Sequence, residues 1–268
     1  DPWLHTARGV EALEKAAKRA GGALVAVETN PLDAVWADRP APPRALVELH
    51  PAEYSGEAAE AKLARLKERL AKDRLDGLVV SDPQNLAWLF NIRGGDVAHT
   101  PLALGYALVP REGKPVLVMD AAKISNAVGD ALAPLADLAP PARLADEIAR
   151  LGPVGGRIRI DSDTGAAALL SLVERDGRTA DRGADPITGM KAVKNAAEIA
   201  GARAAHLRDG AAMTRFLRWL AEETPGGGVS EIGAACALEG FRRETGLLRD
   251  VSFPTISGSG PNGAIVHY

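Results

Sequence analysis

Cysteine is almost absent from this sequence: Cys236 is the single thiol in 268 residues. One thiol cannot form a disulfide bond within the chain, and scarce cysteine is typical of proteins from reducing compartments. Cys236 lies in a stretch of helical character, EIGAACALEGF, where a free cysteine usually behaves as a small buried hydrophobic residue. We therefore expect no disulfide framework and no catalytic thiol.

Long apolar runs and an excess of basic charge are absent as well. No run approaches the roughly 20 residues that a membrane-spanning helix needs. The formal net charge of −3 provides no broad basic surface for the phosphates of nucleic acids. Hydrophobic residues make up 46% of the chain and charged residues 25%, as in soluble globular proteins. The composition predicts a cytoplasmic protein that binds neither membranes nor nucleic acid, and it favours small or peptide ligands.

Two common catalytic motifs are also missing. The glycine clusters GPVGGR (152–157) and PGGGVS (225–230) lack the lysine that follows the last glycine of a phosphate-binding loop, so we interpret both as turns. Ser257 and Ser259 lack the nucleophile elbow and the nearby oriented base of a serine hydrolase. The sequence therefore favours neither a P-loop protein nor a serine hydrolase.

The segment IDSDTG has two interpretations, a site for a divalent ion and a helix cap. Asp161 and Asp163 alternate as carboxylates around a divalent ion can, but no third ligand follows at the EF-hand spacing. Ser and Asp are preferred N-cap residues, because their side chains accept a hydrogen bond from the first helical turn. We therefore expect Ser162 or Asp163 to cap the helix that follows.

Helix and strand patterns alternate through the middle of the chain. The segment KLARLKERLAKDRLDG places Leu63, Leu66 and Leu70 on one helical face, with Lys and Arg outside and Gly77 as the end of the helix. The alternation continues with a buried strand at 77–81, a helix start at Asp82–Pro83, a hairpin of 103–109 and 115–119, a helix at 143–151, a strand at 157–161 and a helix at 165–173. This order predicts an α/β domain with a mixed sheet.

The N-terminal part of the chain contains a helix and a connector. Residues 6–20 have helical character and end at Gly21–Gly22, after which the apolar run 23–27 predicts a strand. Residues 37–56 are rich in proline and have no periodicity, as an extended connector does. We therefore expect a domain boundary near 40–55.

The C-terminal part of the chain changes to two long helices, 195–223 and 230–245, separated by TPGGG. His206 falls on the apolar stripe of the first helix, which indicates a core histidine. A Gly/Ser-rich loop follows, and the alternation of residues 264–268 predicts a strand that carries His267 at its end. A histidine at the end of such a strand, next to a glycine-rich loop, is in a position where its imidazole group can take part in binding or catalysis.

Three segments carry a resemblance to a known family. SDPQNLAWLFNIRGGDV (81–97), AVKNAAEIAGARAAHLRDGAAM (192–213) and SFPTISGSGPNGAIVHY (252–268) together resemble the Xaa-Pro aminopeptidases, or aminopeptidases P, of the creatinase-like M24 peptidases. The resemblance implies a creatinase N-terminal-like α/β domain with a mixed sheet, followed by the first part of a pita-bread α+β metallopeptidase domain. It divides the chain into the end of a first N-terminal domain (1–40), a second N-terminal domain (41–189) and the truncated beginning of the catalytic domain (190–268).

The activity that the resemblance implies is a metal-dependent release of the N-terminal residue from peptides with proline in the second position. In the family two divalent metal ions, usually manganese, are bound by Asp, His and Glu ligands, all of which we expect downstream of Tyr268. The chain is then expected to be a fragment that has no metal ligand of its own and is inactive alone, and the parent protein is expected to be a homodimer. A prolidase-like or creatinase-like hydrolase and a non-catalytic peptide-binding or protein-binding module are the alternatives.

The resemblance assigns functional roles to two residues. His267, the histidine of the HY pair, is the expected catalytic residue, because in the family it hydrogen-bonds the peptide and stabilises the transition state. His267 and Arg93 are the expected substrate-binding residues, with Arg93 reaching the peptide across a dimer interface. From the residues alone, a satisfied strand histidine, and an arginine and Asp96 that pin a loop, remain the alternatives.

Overall fold

The computed structural model describes residues 1–27 and 29–265, which form two compact units. The first unit comprises residues 1–97 and 101–194, and the second comprises 98–100 together with the chain from Asn195 onward. Across the described part of the chain, no helix is both long and apolar enough to cross a membrane. The three-domain division expected from the sequence stays a prediction.

A six-stranded mixed sheet forms the centre of the first unit. Its strands are β2 (Gly77–Val80), β4 (Tyr106–Pro110), β5 (Val116–Val118), β6 (Asp137–Ala139), β7 (Arg157–Ile160) and β8 (Thr179–Arg182). They lie in the order β6-β5-β4-β2-β7-β8, with β4 antiparallel to both neighbours and the remaining pairs parallel. A separate ladder joins β1 (Glu48–Leu49) to β3 (Ile92–Arg93). The expected mixed sheet and the β4–β5 hairpin, with Gly113 in its turn at a φ of 96°, are confirmed.

Helices cover both faces of this sheet. The helices of the first unit are α1 (Ala7–Arg19), α2 (Pro31–Val35), α3 (Ala52–Ser55), α4 (Ala59–Lys72), α5 (Pro83–Phe90), α6 (Asn126–Leu132), α7 (Leu144–Ile148), α8 (Ala167–Glu174) and α9 (Pro186–Ala192). Apolar residues of α4, α5, α6 and α9 share one core with the sheet, and those of α1, α7 and α8 share a second. The first unit is therefore an α/β/α arrangement of three layers.

Strand β2 lies between the two cores. All four of its residues are buried, with Leu78 and Val80 in the core that includes α4 and α5, and Val79 in the core that includes α7 and α8. A strand buried on both faces is a continuous apolar run rather than an alternating one, as GLVV is here. The prediction of a short buried strand is thus confirmed.

Helix α4 has the apolar face that its sequence predicts, but it ends earlier than expected. The three leucines of that face are buried, and the last helical residue is Lys72. Arg74 takes the left-handed conformation, with a φ of 56°, before the chain enters β2. The prediction that Gly77 ends the helix is wrong, because Gly77 is the first residue of β2, where a Cβ atom would lie 2.9 Å from the Leu151 side chain.

The N-terminal helix is confirmed, whereas the strand expected after it is not. Thr6 caps α1 by accepting a hydrogen bond from the Gly9 amide, and Gly21 adopts a φ of 75° just beyond the helix. Residues 23–27 are irregular, and Val25 is 76% exposed, so the predicted strand is wrong. A strand forms where a neighbouring strand satisfies its backbone, which an apolar run does not reveal by itself.

At the carboxyl end of β7, the Asp161 carboxylate organises the chain that follows. Its Oδ1 accepts two hydrogen bonds from amides of the next turn, and its Oδ2 accepts one from the Asp185 amide at 2.6 Å. Helix α8 begins after Ala166, without a side-chain cap. The prediction that Ser162 or Asp163 caps α8 is therefore wrong, because the Asp161 carboxylate turns the chain before the helix starts.

A buried polar cluster connects α9 to α5. Asp185, the N-cap residue of α9, accepts hydrogen bonds from the Ile187 amide at 2.8 Å and from Asn85 Nδ2 at 2.9 Å. Asn85 Nδ2 also donates to the Thr188 hydroxyl group, while Asn85 Oδ1 is buried and has no hydrogen-bond partner among the residues that the structure describes. Burial raises the pKa of Asp185 to about 6, although the hydrogen bonds from Asn85 and Ile187 act in the opposite direction. The core thus contains a carboxyl group that titrates close to neutral pH.

Two helices, α10 (Ala196–Glu223) and α11 (Glu231–Arg243), form the second unit, as the sequence predicts. Asn195 and Glu198 form a capping box at the start of α10. Ser230 caps α11 by accepting a hydrogen bond from the amide of the third helical residue. Both helices therefore begin where their sequences supply a capping side chain.

The packing of this helix pair differs from the expectation. Ala212 is the buried residue of α10, and His206 is exposed, so the prediction of a core histidine is wrong. Leu207, next to it in the sequence, is 78% exposed as well. Cys236 on α11 is also exposed, contrary to the expected burial of the thiol.

The segment after α11 ends in a short 3-10 helix, Gly260–Ala264. The strand expected at 264–268 is therefore wrong at Ala264, and its residues from Val266 onward lie outside the described residues. The local reason is that the Ile265 amide donates to the Asn262 carbonyl at 3.1 Å, which closes a turn instead of extending the chain.

Asp185 makes the stability of the first unit depend on pH. Its pKa is about 6 in the folded state and 3.8 for an exposed aspartate, so its contribution is present below pH 3.8 and is lost as the pH rises through 6. We expect wild-type protein to lose about 3 kcal/mol of unfolding free energy from this group between about pH 4 and pH 7. Asp185→Asn should remove this loss, as measured by urea denaturation across that range.

Asp130→Asn on α6 is the matched control, because it removes an exposed carboxylate and leaves the Asn85 cluster intact. Its denaturation series should follow that of wild type. Coincident pH profiles of wild type and Asp185→Asn would contradict a buried titrating carboxyl group at this position.

Candidate functional site

Arg93, the candidate substrate-binding residue, follows closely on the end of helix α5. That helix ends at Phe90, and its C-cap residue Asn91 takes the left-handed conformation, with a φ of 51°, and turns the chain into β3. The Arg93 guanidinium group donates hydrogen bonds to the carbonyls of Ile92 at 2.8 Å and Ala87 at 3.4 Å. Arg93 is partly buried, so its side chain is held against the end of α5.

Lys62 fixes the turn that precedes Arg93. Its ammonium group donates to Asn91 Oδ1 at 2.6 Å and to the Trp88 carbonyl at 3.0 Å, and it lies 4.3 Å from the centre of the Trp88 ring. These contacts replace the water that a buried ammonium group loses. With 1% of its surface exposed, Lys62 contradicts the expectation that the lysines of α4 lie outside.

A buried ion pair pins the loop beyond Arg93. The Asp96 carboxylate, with 0% of its side chain exposed, pairs with the Lys123 ammonium group, which is 6% exposed. Asp96 also accepts hydrogen bonds from the amides of Ala45 at 3.1 Å and Leu104 at 2.8 Å. Breaking such a pair leaves an uncompensated buried charge, at a cost of about 3–5 kcal/mol. Asp96 thus pins the loop, as one interpretation of the sequence proposed, while the role of Arg93 toward a peptide stays a prediction.

A close approach of the backbone requires glycine at position 94. A Cβ atom on Gly94 would lie 2.8 Å from the Ala103 side chain and 2.9 Å from the Ala103 amide nitrogen. The Gly94 amide donates to the Pro101 carbonyl at 3.3 Å, so the two sides of the loop are in contact through their backbones. Any side chain here would force these two segments apart.

Sequence reasoning did not single out Lys62, Lys123 or Asn85. A signal exists for Lys62, which lies four residues before Leu66 and therefore on the apolar face of α4. Lys123 gives no local signal, because its partner Asp96 is 27 residues away in the sequence. The partners of these three residues lie in distant segments of the chain, so the residue types alone do not identify them.

In the second unit, a surface pocket of about 460 Å³ lies between α11 and the chain that follows it. Carboxylates from Glu231, Glu239 and Asp250 line it, together with His99. Asp250 Oδ1 lies 3.3 Å from His99 Nδ1, and Glu239 pairs with Arg243 on the next turn of α11. Two of the three carboxylates thus interact with cationic or ring nitrogen groups.

The third carboxylate, Glu231, ties a loop to the start of α11. Glu231 Oε1 accepts hydrogen bonds from the Ser259 amide at 2.7 Å and from Asn262 Nδ2 at 3.0 Å, and Oε2 lies 3.2 Å from the same side-chain nitrogen. The hydrogen bonds from Asn262 and Ser259 lower the pKa of Glu231, so the carboxylate is ionised at neutral pH.

His267, the candidate catalytic residue, lies outside the described residues. Among residues 1–27 and 29–265, no group of three or more His, Cys, Asp or Glu side chains is arranged to hold a metal ion. These residues therefore do not fit the two-metal centre that the resemblance implies.

Both parts of the chain match known families. Residues 38–198, well over half of the chain, match the Creatinase/Prolidase N-terminal domain, and residues 200–268 match Metallopeptidase family M24. The probable Xaa-Pro aminopeptidases P of Aspergillus fumigatus and Aspergillus niger are 37% and 35% identical to this chain over 279 and 277 residues. These matches cover 100% of this chain but only 42% and 45% of the relatives, so the chain spans less than half of their length.

Solved structures agree with this assignment. An X-prolyl aminopeptidase from Caenorhabditis elegans, described as a cytosolic enzyme with a di-nuclear active site, is 25% identical and aligns with a TM-score of 0.85 over 98% of this chain and 45% of that one. A prolidase from Thermococcus sibiricus shares the fold at 20% identity, with a TM-score of 0.57 over 79% of this chain and 57% of that one. The chain belongs to the creatinase/prolidase N-terminal domain family, and its residues 200–268 match the metallopeptidase family M24, as its sequence motifs indicate.

Proposed function

We propose that the full-length protein is a metal-dependent aminopeptidase that releases the N-terminal residue from peptides with proline in the second position. One observation carries this proposal: 37% identity to a probable Xaa-Pro aminopeptidase P extends over the whole of this chain, through both units. The X-prolyl aminopeptidase of C. elegans, which aligns over 98% of the chain, supports it. The similarity to the Thermococcus sibiricus prolidase, at 20% identity, supports a shared fold.

Two divalent metal ions, with manganese as the specific choice, are part of the proposal. When bound, such ions lower the pKa of a water molecule and polarise the peptide carbonyl group. The di-nuclear active site of the C. elegans relative supports a pair of metal ions. In this proposal, residues of this chain contribute by holding and orienting the peptide.

His267 and Arg93 are the proposed peptide-binding residues. His267 donates a hydrogen bond to the peptide oxygen on which negative charge develops, an interaction that strengthens in the transition state. Arg93 contacts the peptide from the neighbouring subunit of a homodimer. The proposed location is the cytoplasm, which the cytosolic C. elegans enzyme supports.

Three peptides distinguish this proposal from its alternatives: Ala-Pro-Ala, Ala-Pro and Ala-Ala-Ala, each incubated with full-length protein and Mn²⁺. We expect release of free alanine from Ala-Pro-Ala and none from Ala-Ala-Ala, measured by mass spectrometry, because proline is required in the second position. Cleavage of Ala-Pro alone would indicate a prolidase. Binding of Ala-Pro-Ala without release of alanine would indicate a non-catalytic module, and neither binding nor cleavage would contradict both.

His267→Ala in the full-length protein should lower kcat for Ala-Pro-Ala on the order of 100-fold, because a positioned donor to the transition state is lost. The metal content should stay at the wild-type value, since the imidazole acts on the peptide. His206→Ala, which removes an exposed histidine of α10, is the matched control and should keep the wild-type kcat. Equal turnover of His267→Ala and wild type would exclude the assigned role.

Arg93→Met should raise KM for Ala-Pro-Ala about tenfold and leave kcat nearly unchanged, because Arg93 binds the peptide equally in the ground state and the transition state. Methionine keeps an apolar stem against α5. Arg143→Met, at an exposed arginine that pairs with Asp146, is the control. An unchanged KM together with a lower melting temperature would instead show that Arg93 only pins its loop.

A further inference from the structure

Helix α4 buries a lysine on its apolar face. Lys62 lies one helical turn before Leu66, and 1% of its surface is exposed, while Leu66 is fully buried in the core that α4 shares with α5. An apolar side chain at this position would pack without polar partners, whereas a buried ammonium group is costly unless hydrogen bonds replace the water it loses. The packing of α4 alone therefore does not account for a cation at position 62.

The side chains of Lys62 and Arg93 contact the same end of helix α5. Lys62 Nζ donates to the Trp88 carbonyl at 3.0 Å, and Arg93 Nη1 donates to the neighbouring Ala87 carbonyl at 3.4 Å. Both carbonyls belong to the last turn of α5, where carbonyl groups lack helical partners and carry a partial negative charge. Two cations thus interact with one helix C-terminus, one from α4 and one from the strand that follows α5.

The same ammonium group holds the turn between α5 and Arg93. Lys62 donates to Asn91 Oδ1 at 2.6 Å, and Asn91 Nδ2 donates in turn to the Glu57 carbonyl at 2.8 Å. The Asn91 carbonyl accepts a hydrogen bond from the His50 amide at 2.7 Å, at the start of the ladder that contains Arg93. A single residue separates Asn91 from Arg93, so a displacement of this turn moves the base of the arginine side chain directly.

We infer that Lys62 is a positioning residue for peptide binding: through the last turn of α5 and the turn at Asn91, it sets where the Arg93 guanidinium group meets the peptide. The inference rests on the proposed aminopeptidase function and on the role of Arg93 in it. Lys62 is buried, so it acts through these contacts and not on the peptide itself. Lys62 therefore controls the affinity for the substrate and not the chemical step.

Two substitutions remove the contact between Lys62 and Asn91, one from each side. Lys62→Met removes the ammonium group and keeps an unbranched, flexible side chain in the core. Asn91→Gly removes the acceptor oxygen, and glycine adopts the left-handed conformation of this position at no steric cost. Asn91→Gly also leaves the contacts of Lys62 with Trp88 in place, so it tests the inference in a protein whose core is unchanged.

In the full-length protein, Lys62→Met and Asn91→Gly should each raise KM for Ala-Pro-Ala about three- to tenfold and leave kcat nearly unchanged, because a displaced Arg93 weakens binding of the ground state and of the transition state equally. In an Arg93→Met background, neither substitution should raise KM further, since both act through Arg93. Lys72→Met, at an exposed lysine at the end of α4, is the control and should keep the wild-type KM.

Amide hydrogen exchange in the full-length protein tests the anchor independently of activity. The His50 amide, which donates to the Asn91 carbonyl, should exchange faster in Lys62→Met than in wild type, and unchanged exchange would refute the anchor.

Two kinetic results would overturn the positioning role: a wild-type KM in both variants, even with a lower melting temperature, or an increase in KM that persists in the Arg93→Met background. A wild-type protein that releases no alanine would refute the proposed function, and the role in peptide binding with it. Faster exchange at His50 would then still support Lys62 as the anchor of the turn.

Discussion

The burial of strand β2 on both faces is the constraint on which the first unit depends. A strand without a polar face is stable only when helices cover both sides of the sheet, and the two apolar cores provide this cover. Leu66 on α4 and Leu169 on α8 are fully buried members of opposite cores, and each contributes roughly 1.5–3 kcal/mol. Loss of either layer would expose the centre of the sheet, so the helices and the strand order stabilise each other.

Several polar side chains are buried in the first unit, and each of them has a hydrogen-bond or ion-pair partner there. Lys62 holds the turn after α5, the pair of Asp96 and Lys123 holds the loop that follows, and Asp185 holds the start of α9. An unpaired buried charge is costly, so each of these groups tolerates few alternative positions. The loop that carries Arg93 is therefore fixed on both sides of this residue.

The sequence predicted features whose residues are neighbours along the chain, such as the hairpin turn at Gly113 and the caps of the long helices. Its predictions were wrong where a feature depends on a distant partner: residues 23–27 are apolar but irregular, and His206 is exposed although it lies on the apolar stripe of α10. The same holds for the candidate site. Arg93 was found through the resemblance of its segment to a family, whereas Glu231 was missed because its contacts are 28 and 31 residues away.

The strand order also sets the sequence in which the sheet can assemble. Strands β4 and β5 pair across a loop of five residues, 111–115, whereas Gly77 of β2 lies opposite Ile158 of β7, about 80 residues later. Closing the longer loop costs about 2.5 kcal/mol more entropy, so the hairpin forms first and the parallel pairing late. During synthesis, the apolar β2 thus keeps one open edge until Arg157–Ile160 has left the ribosome, and the nascent chain is most prone to misassembly in that interval.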